Sequence, residues 1–400
     1  WDLFSQSISM GLMSSIVSAG SVVLQYGING LGTLVIAGHT AARKMFAFTD
    51  MPLIAMANAG STFVSQNYGA NHPDRVRKGM REIYLYSVVV AVLAVLLMNV
   101  GAEWMVKLIS GSSEAVEPIT WDKRSVVVCK HKVARPRAVI PVFPGTNCEY
   151  DTARAFRQAG GDPHILVLKN LTPADVAESC EALVKELDEA QILMLPGGFS
   201  GGDEPDGSAK FIAAFFRSPA VADAVNRLLN QRDGLALGIC NGFQALIKLG
   251  LVPYGEIRPI TADDPTLTFN TIHRHQSMLV RTRVASNKSP WLSRCDINDE
   301  HLIAISHGEG RFVCSQTLLN QLIDNGQIAT QYVDLTCQPT MDLRYNPNGS
   351  VMAIEGITSP DGRVFGKMGH SERYGERLYK NVTGDKYQPI FEGGVNYFKL

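Results

Sequence analysis

The chain has 400 residues, a net charge of −1 at neutral pH and a hydrophobic fraction of 46%. That length calls for more than one domain, and neither sign of charge dominates, which gives nucleic-acid binding no electrostatic support. The seven cysteines are scattered, odd in number and free of any Cys-x-x-Cys pair, which points away from zinc and thioredoxin-type sites and towards reduced thiols in the cytoplasm.

The first 116 residues differ from the rest. No Asp, Glu, Lys or Arg occurs between Asp2 and Arg43, between Met51 and Pro73, or between Ile83 and Ala102. Each stretch has the roughly 20 residues needed to cross a bilayer, so residues 1–116 are predicted to be an all-α transmembrane fragment. Asp74–Glu82 carries four basic residues and reads as a cytoplasmic loop between spans. The composition changes near 115–121. Residues 117–136 form the seam, and its basic, proline-containing run Lys130–Arg137 reads as a solvated connector.

From 137 to 400 the pattern alternates strand and helix. Ala138–Phe143 is predicted to be a strand, followed by the loop Pro144–Glu149 and a helix over Tyr150–Ala159. A strand at Ile165–Leu168 precedes the helix Thr172–Ala190, for which Thr172 and Asp175 form a capping signal. Ile192–Leu195 is a strand running into the glycine-rich Pro196–Asp203, and Ser208–Arg232 reads as one helix. Such alternation implies a parallel sheet with helices on both faces, whose active site lies at the carboxyl ends of the strands. Gly197-Gly198 and Cys240 both fall at such ends.

Cys240 ends the apolar run Leu235–Ile239 and precedes a helix beginning near Phe243. A thiol at a strand-to-helix turn meets unpaired N–H groups and the positive end of the helix dipole, which favour the thiolate. The arrangement is that of a nucleophile elbow. A cysteine nucleophile needs a base, and the base needs an orienting group. Two His-x-Glu pairs qualify, His370/Glu372 after the strand Gly362–Met368 and His307/Glu309, and spacing does not choose between them. If extended, either segment turns both side chains to one side. The glycine-rich loop lacks the Gly-Lys-Ser/Thr ending of a phosphate loop. Beside an activated cysteine it would offer backbone N–H groups to an oxyanion.

Five motifs then occur in order: Pro144-Gly-Thr-Asn-Cys-Glu-Tyr-Asp151, Leu195-Pro-Gly-Gly-Phe-Ser-Gly-Gly-Asp203, Gly238-Ile-Cys-Asn-Gly-Phe-Gln244, His307-Gly-Glu-Gly-Arg-Phe312 and His370-Ser-Glu-Arg373. Residues from about 130 to 400 thereby resemble the glutamine amidotransferase domain of phosphoribosylformylglycinamidine synthases of the large single-chain type. The resemblance implies an α/β, class I glutamine amidotransferase fold, a flavodoxin-like doubly wound parallel sheet. It implies a catalytic triad of Cys240, His370 and Glu372, with Gly198 and Asn241 supplying the oxyanion site. Gly197, Phe199, Gln244 and His307 would line the glutamine site, with His307 supporting rather than catalytic. Ser371 stands where many relatives have proline. The implied activity is glutamine hydrolysis in purine biosynthesis, with ammonia passed to a synthase partner. ATP and Mg2+ would belong to that partner, and no cofactor or metal is expected in this chain.

Met10-Gly-Leu-Met-Ser-Ser-Ile16, Gln25-Tyr-Gly-Ile-Asn-Gly-Leu-Gly32, Ala41-Ala-Arg-Lys44 and Phe63-Val-Ser-Gln-Asn-Tyr-Gly-Ala70 resemble multidrug and toxic compound extrusion (MATE) transporters, at the start of that family's second lobe. The alternative function is therefore cation or drug antiport through the membrane. Only about a quarter of such a transporter is expected here, and both halves read as cut at the seam. That favours a chimeric chain, with the glutaminase half cytoplasmic and the chain at the membrane if the N-terminal fragment inserts.

Overall fold

The computed structural model describes residues 33–110, 116–123, 127–199 and 208–399, together with residues 8, 15, 19–21 and 23–24. The chain divides into two compact units, Trp1–Ser113 and Glu114–Leu400.

In the first unit, helices α1 (Thr33–Gly69) and α2 (Pro73–Ser110) are joined by a three-residue turn and pack on each other. Gly60 meets Ile83, and Gly79 lies against the Phe63 ring. The basic Asp74–Glu82 is not the loop expected from its charge. Pro73 and Asp74 open α2, the residue types that favour a helix start, and the charges ride on its first turns. The expected second span, Met51–Pro73, is the latter part of α1 and the turn after it. The first stretch, Asp2–Arg43, lies largely outside the described residues. Among the described residues, Pro73–Leu96 is the segment long and apolar enough to cross a membrane.

The second unit is built on a nine-stranded sheet in the order β2-β1-β3-β4-β11-β10-β9-β6-β7. Its strands are β1 (Arg137–Val142), β2 (Asp162–Val167), β3 (Ile192–Leu195), β4 (Leu235–Ile239), β6 (Gln276–Val284), β7 (Glu300–His307), β9 (Ile328–Tyr332), β10 (Ile354–Thr358) and β11 (Val364–Lys367); β5 (Thr266–Thr268) and β8 (Arg311–Val313) pair separately. The five strands from β2 to β11 run parallel, as expected. The remaining pairings are antiparallel. The sheet is therefore mixed, because β10 and β11 are joined by a tight turn too short for the crossover that parallel neighbours require. Every residue of β4 is buried, as befits a strand with parallel neighbours on both sides and helices on both faces.

The helix Pro173–Glu189 carries the capping box read from Thr172: its hydroxyl accepts from the Asp175 N–H, and the Asp175 carboxylate accepts from the Thr172 N–H. The single helix expected over Ser208–Arg232 is instead Lys210–Phe216, Pro219–Asn226 and a π-turn at Arg227–Gln231. Pro219 forces Ser218 out of helical geometry (ψ 134°) and splits it.

The described residues of the seam are laid along this unit, and Lys130, His131, Lys132, Ala134 and Arg135 are exposed to solvent as expected of a connector. Ile119 N–H donates to the Gln331 side chain, Trp121 N–H to the Ala285 carbonyl and Val133 N–H to the Phe398 carbonyl, while Lys132 Nζ reaches the carbonyls of Tyr397 and Lys399. The core is closed by edge-to-face aromatic contacts. Phe156 meets Phe391 at 5.0 Å and Trp291 at 6.4 Å, pinning the C-terminal helix Ile390–Phe398 to the helix Glu149–Gln158.

Candidate active site

Cys240 sits at the carboxyl end of β4 as the N-cap of the helix Asn241–Leu249, with φ 53° and ψ −108°. A non-glycine residue rarely adopts this conformation, and it is held by the surrounding packing. Cys240 N–H donates to the Lys367 carbonyl at 2.8 Å. A β-carbon on Gly242 would overlap the Leu195 carbonyl, so the turn can approach β3 only without a side chain there. The thiol is buried at 5% exposure and lies 3.7 Å from the Ser306 carbonyl.

The ends of β1 and β3 are zipped together beside it. Asn147 N–H donates to the Gly197 carbonyl and Phe199 N–H to the Gly145 carbonyl, with Gly198 bridged to Thr146 at φ +147°. Gly197 and Gly198 therefore belong to this wall of the site, and Phe199 is partly exposed at its rim (39%). The rest of the glycine-rich loop, Ser200–Asp203, lies outside the described residues.

His370 and Glu372 follow β11. They do not lie on the extended segment expected. Arg373 N–H donates back to the His370 carbonyl, so the stretch is a turn, anchored by the His370 N–H to the Ala304 carbonyl at 2.8 Å. The turn nevertheless brings the side chains together: His370 Nδ1 lies 2.5 Å from Glu372 Oε1, both fully enclosed. Burial disfavours a charged imidazole, but the Glu372 carboxylate and the Cys240 sulfur outweigh it and push the His370 pKa well above its ordinary value. Burial likewise opposes the Glu372 carboxylate, yet the His370 charge holds its pKa below the usual range. His370 Nε2 is buried and makes no hydrogen bond.

The other His-x-Glu pair is not a pair in space. Glu309 directs Oε2 at the N–H and hydroxyl of Ser208, both at 2.9 Å, and His307 Nδ1 faces the Asn270 side chain at 3.3 Å. Burial first, then the charges of His370 and His275, drive the His307 pKa down to about 3, so it stays neutral. Gln244 joins this side of the site to the elbow. Its carbonyl accepts from Asn241 Nδ2 at 2.9 Å, and its amide donates to the Glu309 carbonyl at 2.5 Å.

Cys148 was not singled out in the sequence. Its sulfur lies 3.9 Å from His370 Nδ1 and accepts from Arg373 Nη2 at 3.1 Å. The signal was its motif, Pro144-Gly-Thr-Asn-Cys148, which the zipped loops carry to the base. Cys148, His370 and Glu372 offer ligand atoms within 4.8 Å of one another. The imidazole and carboxylate are already hydrogen-bonded at 2.5 Å, closer than two ligands can stand when each is about 2 Å from one tetrahedral ion.

Residues 135–398 match the CobB/CobQ-like glutamine amidotransferase domain, and residues 10–120 match the MatE family. The phosphoribosylformylglycinamidine synthase subunit PurQ of Methanococcus maripaludis is 35% identical over 259 residues, 63% of this chain and 86% of that protein. PurQ of a Synechococcus species is 35% identical over 241 residues, 60% and 89% of the two chains. Among solved structures, that of PurLQS from Thermotoga maritima aligns with 66% of this chain and 100% of its own, at 26% identity and a TM-score of 0.47. The glutaminase domain of Trypanosoma brucei CTPS with bound acivicin aligns with 66% and 93%, at 12% identity and a TM-score of 0.38. Through residues 135–398, two thirds of its length, the chain belongs to the CobB/CobQ-like glutamine amidotransferase family.

Proposed function

We propose that the second unit hydrolyses glutamine to glutamate and ammonia as the glutaminase of a phosphoribosylformylglycinamidine synthase, the enzyme of which its PurQ relatives are named as subunits. The observation that carries the reading is the His370–Glu372 contact at 2.5 Å in the same enclosed site as a strained, helix-capping Cys240. Cys240 gives its proton to His370 Nε2, and the thiolate attacks the side-chain carboxamide carbon of glutamine. The oxyanion is met by the backbone N–H groups of Gly198 and Asn241, each such donor lowering the barrier by about 2.7–4 kcal/mol. His370 returns the proton to the leaving nitrogen as the C–N bond breaks, and ammonia departs. It then takes a proton from water, which attacks the thioester and releases glutamate. Glu372 orients the imidazole and stabilises its charged form. Gly197, Phe199, Gln244 and neutral His307 shape the pocket for the amino-acid end of the substrate.

The ammonia serves a synthase partner that holds ATP and Mg2+, and the unit works in the cytoplasm. The test is intact mass after incubating the chain with a glutamine-mimicking electrophile, beside Cys240→Ala. One adduct on the parent and none on the variant is the expected result. No adduct on a folded parent would remove the reading. The chain alone, given glutamine and ATP, is expected to release ammonia without forming an amidine.

The match of residues 10–120 to the MatE family, with Pro73–Leu96 long and apolar enough to span a bilayer, supports a second statement. We read the chain as a chimera of two unrelated families joined near residues 115–121. Unbroken single-molecule DNA reads across codons 112–125 test this. A junction present in every read would establish a genuine fusion, and reads that never cross it would establish a misassembly.

A further inference from the structure

Behind the His370 turn lies a charged network that the proposed chemistry does not use. Lys367, the last residue of β11, and Glu355, on β10, form an ion pair at 3.6 Å with both side chains fully enclosed. Lys367 Nζ donates to Ser371 Oγ and to Gln388 Oε1, both at 2.7 Å, and Ser371 Oγ donates to the same Gln388 oxygen at 2.6 Å. Glu355 Oε1 accepts from the Gly369 N–H at 2.6 Å, and Oε2 accepts from Thr330 Oγ1 at 2.5 Å.

Two features set this cluster apart. A buried ion pair is a poor route to stability, because a well-packed apolar pair of the same volume often does as well or better. The pair also grips the two residues that flank His370. Glu355 holds the backbone of Gly369 before it, and Lys367 holds the side chain of Ser371 after it. The turn is not flanked by strands on both sides, and besides this clamp the His370 backbone is held by its bridge to Ala304 and by the Arg373 N–H on its carbonyl.

We propose that Lys367 and Glu355 are positioning residues that fix the orientation of the His370 imidazole towards Cys240 and Glu372. Their side chains touch neither substrate nor reacting atoms, although the Lys367 carbonyl also accepts the Cys240 N–H. They act through Gly369 and Ser371, keeping the turn in the one geometry that joins Nδ1 to the carboxylate and leaves Nε2 unengaged. The kinetic consequence rests on the glutaminase reading; the placement of the imidazole does not.

The experiment uses the full chain and the variants Lys367→Met and Ser371→Ala, with Val225→Ala, a buried change in a helix outside the site, as a stability control. Two readouts are taken: glutamine turnover, and the downfield proton resonance of His370 Nδ1–H against Glu372. A misplacement of the base of about 1 Å costs on the order of 10- to 100-fold in kcat, and an effect confined to the reacting geometry leaves KM within about twofold. The resonance is expected to shift or broaden in both variants and to stay in place in Val225→Ala. If Lys367→Met does not fold, Ser371→Ala decides alone, since it removes the hydroxyl link without stranding a buried charge. A resonance unchanged from the parent in the folded variants would overturn the proposal. A parent that binds no electrophile and turns over no glutamine would sink the glutaminase reading, and the resonance would still decide this one.

Discussion

A β-carbon built on Gly197 would lie 2.7 Å from His370 Cε1 and 3.1 Å from the Cys148 sulfur, so the imidazole is packed directly against a backbone that carries no side chain. The site is closed by the absence of an atom. Gly197→Ala is expected to push the imidazole off its line to Cys240 while leaving the sheet intact. Loss of kcat on the order of 100-fold, with unchanged far-ultraviolet circular dichroism, is the expected outcome. Turnover within a few-fold of the parent would show that the imidazole can give way.

The His370–Glu372 pair makes a pH prediction. His370 is raised above its ordinary 6.5 and Glu372 is lowered below its ordinary 4.5. The raised imidazole contributes stability that is complete below 6.5 and is lost as pH rises through its folded value. The lowered carboxylate contributes stability present above 4.5 and lost as pH falls through its folded value. The pair's contribution is therefore complete between these two values. The melting-temperature gap between parent and Glu372→Gln should be widest there and should narrow on the alkaline side. The variant's kcat should fall by about two to four orders of magnitude. The alkaline limb of its rate profile should move to lower pH, since the carboxylate no longer supports the imidazolium.

His307 behaves in the opposite sense. Its pKa is depressed to about 3, chiefly by burial, so the folded chain refuses a proton that the unfolded chain accepts near 6.5. Stability is present above 6.5 and is lost as pH falls towards 3. Denaturant titrations should show His307→Asn losing less stability than the parent over that window. Equal acid slopes in the two proteins would place the acid sensitivity elsewhere.

Spacing left the two His-x-Glu pairs equivalent, and the family resemblance alone favoured His370 and Glu372. His307-Gly-Glu309 and His370-Ser-Glu372 have the same spacing, and spacing reports only what a chain segment permits. In space the two differ: Glu309 is held by the backbone and hydroxyl of Ser208, roughly 100 residues away, whereas Glu372 meets His370. Cys240 was legible because an elbow is local: an apolar strand, a thiol, a glycine and a helix in one run of residues. The glycines that follow β3, Gly197 and Gly198, were legible for the same reason. Cys148, Lys367 and Glu355 were not, since each matters through partners brought from distant strands. The antiparallel half of the sheet was also hidden, because a buried strand reads as the same apolar run whichever way its neighbour points. The split at Pro219 was written in the sequence, and the apolar periodicity around it masked the break.

A last prediction separates stability from chemistry. The capping box at Thr172 lies at the start of the helix Pro173–Glu189, and both of its hydrogen bonds are formed. Thr172→Ala removes the side-chain acceptor for the Asp175 N–H and with it the reciprocal geometry. The cost is about 1 kcal/mol of stability. Because the helix starts at the surface and contributes no residue to the Cys240 site, the variant should be labelled by the glutamine-mimicking electrophile at the parent's rate under folding conditions. Denaturant unfolding and the labelling rate measured on the same preparation check both halves. A slowed labelling rate at full folding would mean that the site depends on this helix, and that the enclosed geometry around His370 is less self-contained than its local hydrogen bonds imply.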